Sequence, residues 1–292
     1  MRYVPKRLVL PPGLPDAHIE ALPERGEVFY RRHQHPDRGP TLLLLHGWTA
    51  SADLQWFTAY ERLAERYSFI AIDHRGHGRG LRSDEPFTLE AAADDAAALV
   101  RQLAVGPVVT VGYSMGGPIS LLLAQRHPDL VQGMVLEATS QEWRATLTDR
   151  MTWRSLVVIE IVVRSRLARL IGRRAVRRLA DHNPAIDPYV GWLQAEARRG
   201  DPSDIIEAGR ALAHYDARPF AACIDLPSAV VLTTQDRAVR PAKQRSLAAA
   251  VGARVFALAG DHFCFWANAK EFADVTREAI DDVVSRLPAP RA

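Results

Sequence analysis

Short, almost uninterrupted aliphatic runs alternate with amphipathic stretches along most of this chain. The runs cover residues 41–45, 69–72, 108–111, 131–136, 229–232 and 254–258. Runs this short, with hardly a polar break, predict strands buried on both faces, as in a mostly parallel sheet covered by helices on two sides. Gln132 and Gly133 make the fourth run the weakest. Residues 28–31 predict an earlier, antiparallel strand at the edge of the sheet. Between the runs, residues 56–66, 88–103, 117–127, 241–250 and 268–286 have the patterning of helices.

One stretch departs from the alternation. From about Thr139 to Phe220 no convincing strand appears, only helical patterning broken by Gly172, Pro184, Pro188, Gly191, Gly200 and Pro202. It opens straight after one core strand and closes before the next. The expected organisation is therefore an α/β core of residues 1–138 and 223–292 that carries an inserted all-helical cap of residues 139–222. No repeat of 20 to 50 residues is visible, and 292 residues suffice for a single large α/β domain or two small ones.

Composition and charge narrow the partners. A hydrophobic fraction of 48% with 24% charged residues is that of a globular protein with a large core, not a disordered or fibrous chain. Net charge is only +3, so no nucleic-acid footprint is expected. Between Arg144 and Arg178, however, ten arginines stand against Asp149 and Glu160 alone, interleaved with residues such as Met151, Trp153 and Leu156. That patterning suits a solvated basic face on amphipathic cap helices. A surface for anionic lipid head groups, as in weak membrane contact, or for an acidic substrate carrier is the sharper alternative. Cys223 and Cys264 make no disulfide framework, although one bridge between them stays open, and a reducing cytoplasm is expected. Three apolar residues before Pro11 are too few for a signal-peptide core, and residues 156–163 are too short and too charged to span a bilayer.

The strongest chemical signal is Gly112-Tyr113-Ser114-Met115-Gly116-Gly117, directly after one predicted strand and before a predicted helix. Gly-x-Ser-x-Gly at such a turn needs small residues, because the serine sits in a strained conformation and the chain packs closely around it. The hydroxyl then projects at the carboxyl edge of the sheet, beside a helix N-terminus that favours developing negative charge. His46-Gly47-Trp48 ends the first core strand. The glycine allows a sharp turn that frees the Trp48 amide to point toward the serine, with the Met115 amide as a second donor to an oxyanion.

Together with Asp73-His74-Arg75-Gly76-His77-Gly78, these pieces resemble the α/β-hydrolase superfamily over about residues 28–138 and 227–287, with the cap unmatched. The resemblance implies the α/β-hydrolase fold, and it implies that Asp73 and Arg75 organise a loop. It also implies the order serine, acid, histidine. A serine hydroxyl needs a base to take its proton, and that base an acid to orient it. Of ten histidines only His262 follows all the later strands. Asp236 stands at the usual family position for the acid, after the penultimate core strand. Glu137, at the end of the preceding strand, is the competitor, since some superfamily members carry the acid there. Asp261 would point away from its neighbour His262.

The expected chemistry is hydrolysis of a small-molecule carboxylic ester with an apolar acyl or alkyl part, a monoacylglycerol or a lactone among the candidates. Ser114 is the nucleophile, His262 the base and Asp236 the acid, and the Trp48 and Met115 amides form the oxyanion hole. No cofactor and no metal is expected: no His-x-x-x-His spacing, cysteine pair or phosphate loop occurs. Thioesters, carbon–carbon bonds of diketones and cofactor-free perhydrolysis would run on the same triad. From a different class, a ligand receptor with vestigial hydrolysis remains the alternative.

Overall fold

The computed structural model describes residues 8–37, 39–144, 146–154, 174, 176–178 and 183–288. Its eight strands are β1 (Asp16–Leu22), β2 (Gly26–His33), β3 (Leu42–Leu45), β4 (Phe69–Ile72), β5 (Val108–Tyr113), β6 (Val131–Glu137), β7 (Ser228–Thr233) and β8 (Arg254–Leu258). They form one sheet in the order β1-β2-β4-β3-β5-β6-β7-β8. β1 pairs antiparallel with β2, and β2 with β4; every later pairing is parallel. All residues of β3, β4, β5 and β7 are buried.

Alternation explains why these strands are apolar throughout. Leu43, Leu45, Ile70 and Ile72 point into one core with Ala96, Leu99, Ile119 and Leu122. Leu42, Leu44, Phe69 and Ala71 point into the other with Trp56, Tyr60, Phe272 and Ile280. Each fully buried leucine or isoleucine contributes roughly 1.5–3 kcal/mol relative to an exposed one, so both faces must be covered. Helices α3 (Leu89–Gln102) and α4 (Gly116–Arg126) cover the first face; α1 (Ala52–Trp56) and α2 (Tyr60–Ala64) lie on the second. Thr88 caps α3 by accepting the Ala91 amide at 3.0 Å.

Two sequence expectations change. Residues 28–31 are not at the sheet edge, because β1 pairs outside β2 along Asp16↔Arg32 to Leu22↔Gly26. Of the helix expected over residues 56–66, only the last residue of α1 and the short α2 are helical, with a turn over residues 57–59. The turn between them is tied down by Thr58, whose hydroxyl donates to the Phe265 carbonyl at 2.8 Å. The weakest predicted strand, β6, is central, flanked by β5 and β7. Its Gly133 is a packing requirement: a Cβ there would lie 2.6 Å from Val283 Cγ1.

Between β6 and β7 the structure places α5 (Leu147–Arg154), α6 (Val190–Glu196) and α7 (Pro202–His214). Among the described residues this segment has no strand, only an isolated bridge between Glu142 and Asp216. Much of the arginine-rich run, including Arg164, Arg166, Arg169 and Arg173, lies outside the described residues. α8 (Pro241–Ala250), α9 (Cys264–Ala267) and α10 (Ala269–Ser285) complete the chain, α8 on the first face and α10 on the second. Cys223 and Cys264 are not paired. Among the described residues no helix is long and apolar enough to cross a membrane.

Asp73 and Arg75 organise a loop, as the resemblance implies. The Asp73 carboxylate accepts the Ala52 and Arg79 amides, each at 2.7 Å. Arg75 donates twice to Asp95, at 2.7 and 2.9 Å.

Candidate active site

The sheet delivers its chemistry to one edge, the carboxyl ends of the parallel strands. β5 ends at Tyr113, and the chain reverses through Ser114 into α4. Ser114 has φ +52°, a left-handed conformation that costs a non-glycine residue about 1–3 kcal/mol. The glycines around it are there for space. A Cβ on Gly112 would overlap the Gly116 carbonyl, one on Gly116 would overlap the Leu45 carbonyl, and one on Gly117 would overlap the Thr139 side chain. Strand β6 braces the turn: the Ser114 amide donates to the Glu137 carbonyl at 2.8 Å. The Ser114 carbonyl in turn accepts the Thr139 hydroxyl at 2.7 Å and the Gly117 amide at 3.0 Å.

Ser114 Oγ lies 3.0 Å from His262 Nε2, and His262 Nδ1 lies 2.7 Å from Asp236 Oδ2. Asp236 follows β7 and is buried. Its Oδ1 accepts the Ala238 and Val239 amides, both at 2.8 Å, and its Oδ2 also accepts the Thr233 hydroxyl at 2.9 Å. Gln244 on α8 locks this loop, donating to Thr233 Oγ1 and to the Val239 carbonyl while accepting the Thr233 amide. A carboxylate so surrounded only accepts. His262 Nδ1 therefore carries the proton, and Nε2 is left free to accept from Ser114.

His46 ends just beyond β3. The His74 amide donates to its Nε2 at 3.0 Å, so its Nδ1 donates to the Gly47 carbonyl at 2.8 Å. Gly47 packs against the serine, where a Cβ would lie 3.3 Å from Ser114 Cβ. Among the described residues, neither the Trp48 amide nor the Met115 amide has a hydrogen-bond acceptor. The Trp48 indole is anchored elsewhere. Its Nε1 donates to the Ile205 carbonyl on α7 at 2.6 Å, and its ring fills the space of a side chain at Gly209.

The model of the alpha/beta hydrolase fold family matches residues 40–269, most of the chain. This chain belongs to the α/β-hydrolase family. It is similar to a pimeloyl-[acyl-carrier protein] methyl ester esterase of Neisseria meningitidis serogroup C, 30% identical over 257 residues, 86% of this chain and 98% of the relative. Among solved structures it is similar in fold to an enol-lactonase from Burkholderia xenovorans. That likeness has a TM-score of 0.77 at 23% identity and covers 90% of this chain and all of that one. A bromoperoxidase from Bacillus anthracis gives 0.78 at 19% identity, with 91% and 100% covered.

Five buried titratable groups near this α/β-hydrolase site, Glu137, Cys264, His46, His74 and His77, are held neutral. Burial pushes the Glu137 carboxyl up to about 8; it takes one bond, from the Thr276 hydroxyl on α10 at 2.8 Å, and its Oε2 has no partner among the described residues. The Glu137 side chain, the rival acid in the sequence, is thus bound to α10, whereas Asp236 is bound to His262. Burial also raises the Cys264 thiol to about 12, leaving it protonated. His46, His74 and His77 are all lowered by burial, His74 to about 3 and His77 to about 4. Asp261 accepts the Phe263 amide at 2.8 Å.

Sequence reasoning missed the supporting residues Thr139, Thr233 and Gln244. Thr233 and Thr139 stand within three residues of the candidate acids Asp236 and Glu137, but neither has a spacing that marks it.

Proposed function

We propose that this α/β hydrolase cleaves carboxylic esters through a serine-bound acyl intermediate. Ser114 Oγ attacks the ester carbonyl carbon as His262 Nε2 takes its proton. The tetrahedral oxyanion accepts the Trp48 and Met115 amides, each worth roughly 3 kcal/mol in the transition state. Collapse expels the alcohol, which recovers the proton from His262. Water then attacks the acyl-enzyme by the same route in reverse order of roles, releasing the acid and restoring Ser114. Asp236 holds the imidazole in the accepting tautomer throughout.

The observation that carries this reading is the unbroken hydrogen-bond chain Ser114–His262–Asp236, with contacts of 3.0 and 2.7 Å. The similarity to a methyl ester esterase over nearly its whole length supports esters as the substrate class. We read the helices between β6 and β7, within residues 139–222, as a cap over the serine. Trp153 lies 6.0 Å from both Trp48 and Trp143, ring to ring, an aromatic wall suited to an apolar part of the substrate.

Replacing Ser114 by alanine should abolish labelling by a fluorophosphonate and lower p-nitrophenyl ester turnover by several orders of magnitude. Labelling of Ser114→Ala equal to that of the native protein overturns the nucleophile. A native protein that labels but hydrolyses no ester in a panel of chain lengths overturns the substrate class.

A further inference from the structure

We infer that Thr139 is a positioning residue for this hydrolysis: its hydroxyl fixes and polarises the Ser114–Met115 peptide, whose N–H is aimed at the reacting carbonyl. The inference rests on the ester-hydrolase reading of the same site. The carbonyl of Ser114 and the amide of Met115 belong to one peptide unit. That unit is planar and trans, so its C=O and N–H point in opposite directions. Whatever holds the carbonyl therefore aims the amide. Thr139 Oγ1 donates to that carbonyl at 2.7 Å, on the side opposite to the Met115 N–H.

Thr139 is well placed to impose a direction. It is fully buried, and it follows Ala138, whose φ of +46° turns the chain off β6 and back over the serine turn. The Ala138 amide is tied to Val231 of β7 at 3.1 Å, so the clamp is anchored in two central strands. Thr139 also occupies the space a side chain would take at Gly117, so it packs directly against the start of α4. On the other side of the site, His46 Nδ1 donates to the Gly47 carbonyl, the partner of the Trp48 N–H in its own peptide. Both candidate oxyanion donors thus have their carbonyls held by a buried side chain. A second effect adds to orientation: a peptide whose carbonyl accepts a hydrogen bond becomes a stronger N–H donor.

The Gly117 amide supplies a second bond to the Ser114 carbonyl, so loss of the hydroxyl should weaken the clamp without collapsing the turn. Thr139→Val keeps the shape and removes the donor; Thr139→Ser keeps the donor. Enzyme concentration is set by end-point titration with a fluorophosphonate, so misfolded protein is not counted. We expect Thr139→Val to lower kcat per titrated site about tenfold with KM within about twofold, the pattern of an interaction made in the transition state. Inhibition by a trifluoromethyl ketone, which forms a tetrahedral oxyanion adduct on the serine, should weaken by the same factor. Thr139→Ser should recover most of both. If Thr139→Val does not fold, Thr139→Ala removes the same donor and carries the same expectation.

Unchanged kcat per titrated site, or a serine variant as impaired as the valine, overturns the positioning role and leaves only a structural one. Turnover retained by Ser114→Ala overturns Ser114 as the nucleophile, and ester turnover absent from the native protein overturns the ester-hydrolase reading, so these failures are distinct from that of the clamp.

Discussion

Replacing Glu137 by glutamine should make the protein's stability at neutral pH rise relative to native, by an amount that grows with pH. The carboxyl is fully buried with one donor, and burial raises it from an ordinary 4.5 to about 8. Between those two values the folded chain keeps a proton that the unfolded chain releases. Native stability therefore falls as pH rises through this window, by about 1.4 kcal/mol per unit. Glutamine has nothing to release. From pH 5 to pH 7.5 the variant should gain about 3 kcal/mol on the native protein. At pH 4.5 and below both side chains are neutral, and the variant should be level with the native protein or slightly weaker, because its amide meets the same partnerless position. Urea midpoints and slopes at pH 5, 6 and 7.5 measure the difference. A gap between the two proteins that stays flat across the range, or closes as pH rises, refutes the buried neutral acid.

Two further outcomes follow from the same geometry. Asp236→Asn should lower ester turnover by about ten-thousandfold through loss of the accepting imidazole tautomer, while Glu137→Gln should stay within a few-fold of native; the reverse ranking in kcat moves the acid to β6. In acid, His74 and His77 stay neutral when folded, near 3 and 4 against an ordinary 6.5, whereas the unfolded chain protonates them. Their contribution is complete well above pH 6.5 and lost as pH falls, so the pair should remove about 2.5 kcal/mol between pH 7 and 5.5, of which the buried Asp73 carboxyl, raised to about 6, returns only about 0.8 kcal/mol. Urea melts in the Glu137→Gln background, where the carboxyl cannot offset the trend, test this; a midpoint that holds constant to pH 5.5 refutes it.

The parallel sheet was legible because fully buried strands leave a continuous apolar run, and nothing else of that length does so between helical patterns. The serine turn was legible because steric crowding admits only glycine at residues 112, 116 and 117. Other features left a fainter trace. β1 does alternate strictly, Asp16, His18 and Glu20 against Ala17, Ile19 and Ala21, but it is an edge strand with Ile19 two-thirds exposed, so no burial marks it. The break between α1 and α2 depends on a side chain bonding a backbone carbonyl more than 200 residues away, which no local pattern encodes. Gly133 weakens the local strand pattern, and α10, which packs against it, is distant in sequence. Thr139 and Gln244 act through single bonds to groups distant in sequence, and a lone threonine or glutamine has no spacing to announce it. Asp236 and Glu137 are both plausible acids in the sequence, each at a strand end; they differ in what the assembled sheet places beside them, His262 for Asp236 and Thr276 of α10 for Glu137.

Trp48 has a double allegiance. Its backbone belongs to the turn after β3 beside Ser114, while its indole is bonded to Ile205 and seated against Gly209 of α7. For protein engineering this removes a convenient modularity. Exchanging the segment between β6 and β7 for that of a relative, as one would to retune substrate choice, also exchanges the socket that holds the proposed oxyanion donor. A graft would have to bring a carbonyl at the position of Ile205 and a glycine at that of Gly209, or replace Trp48 along with it.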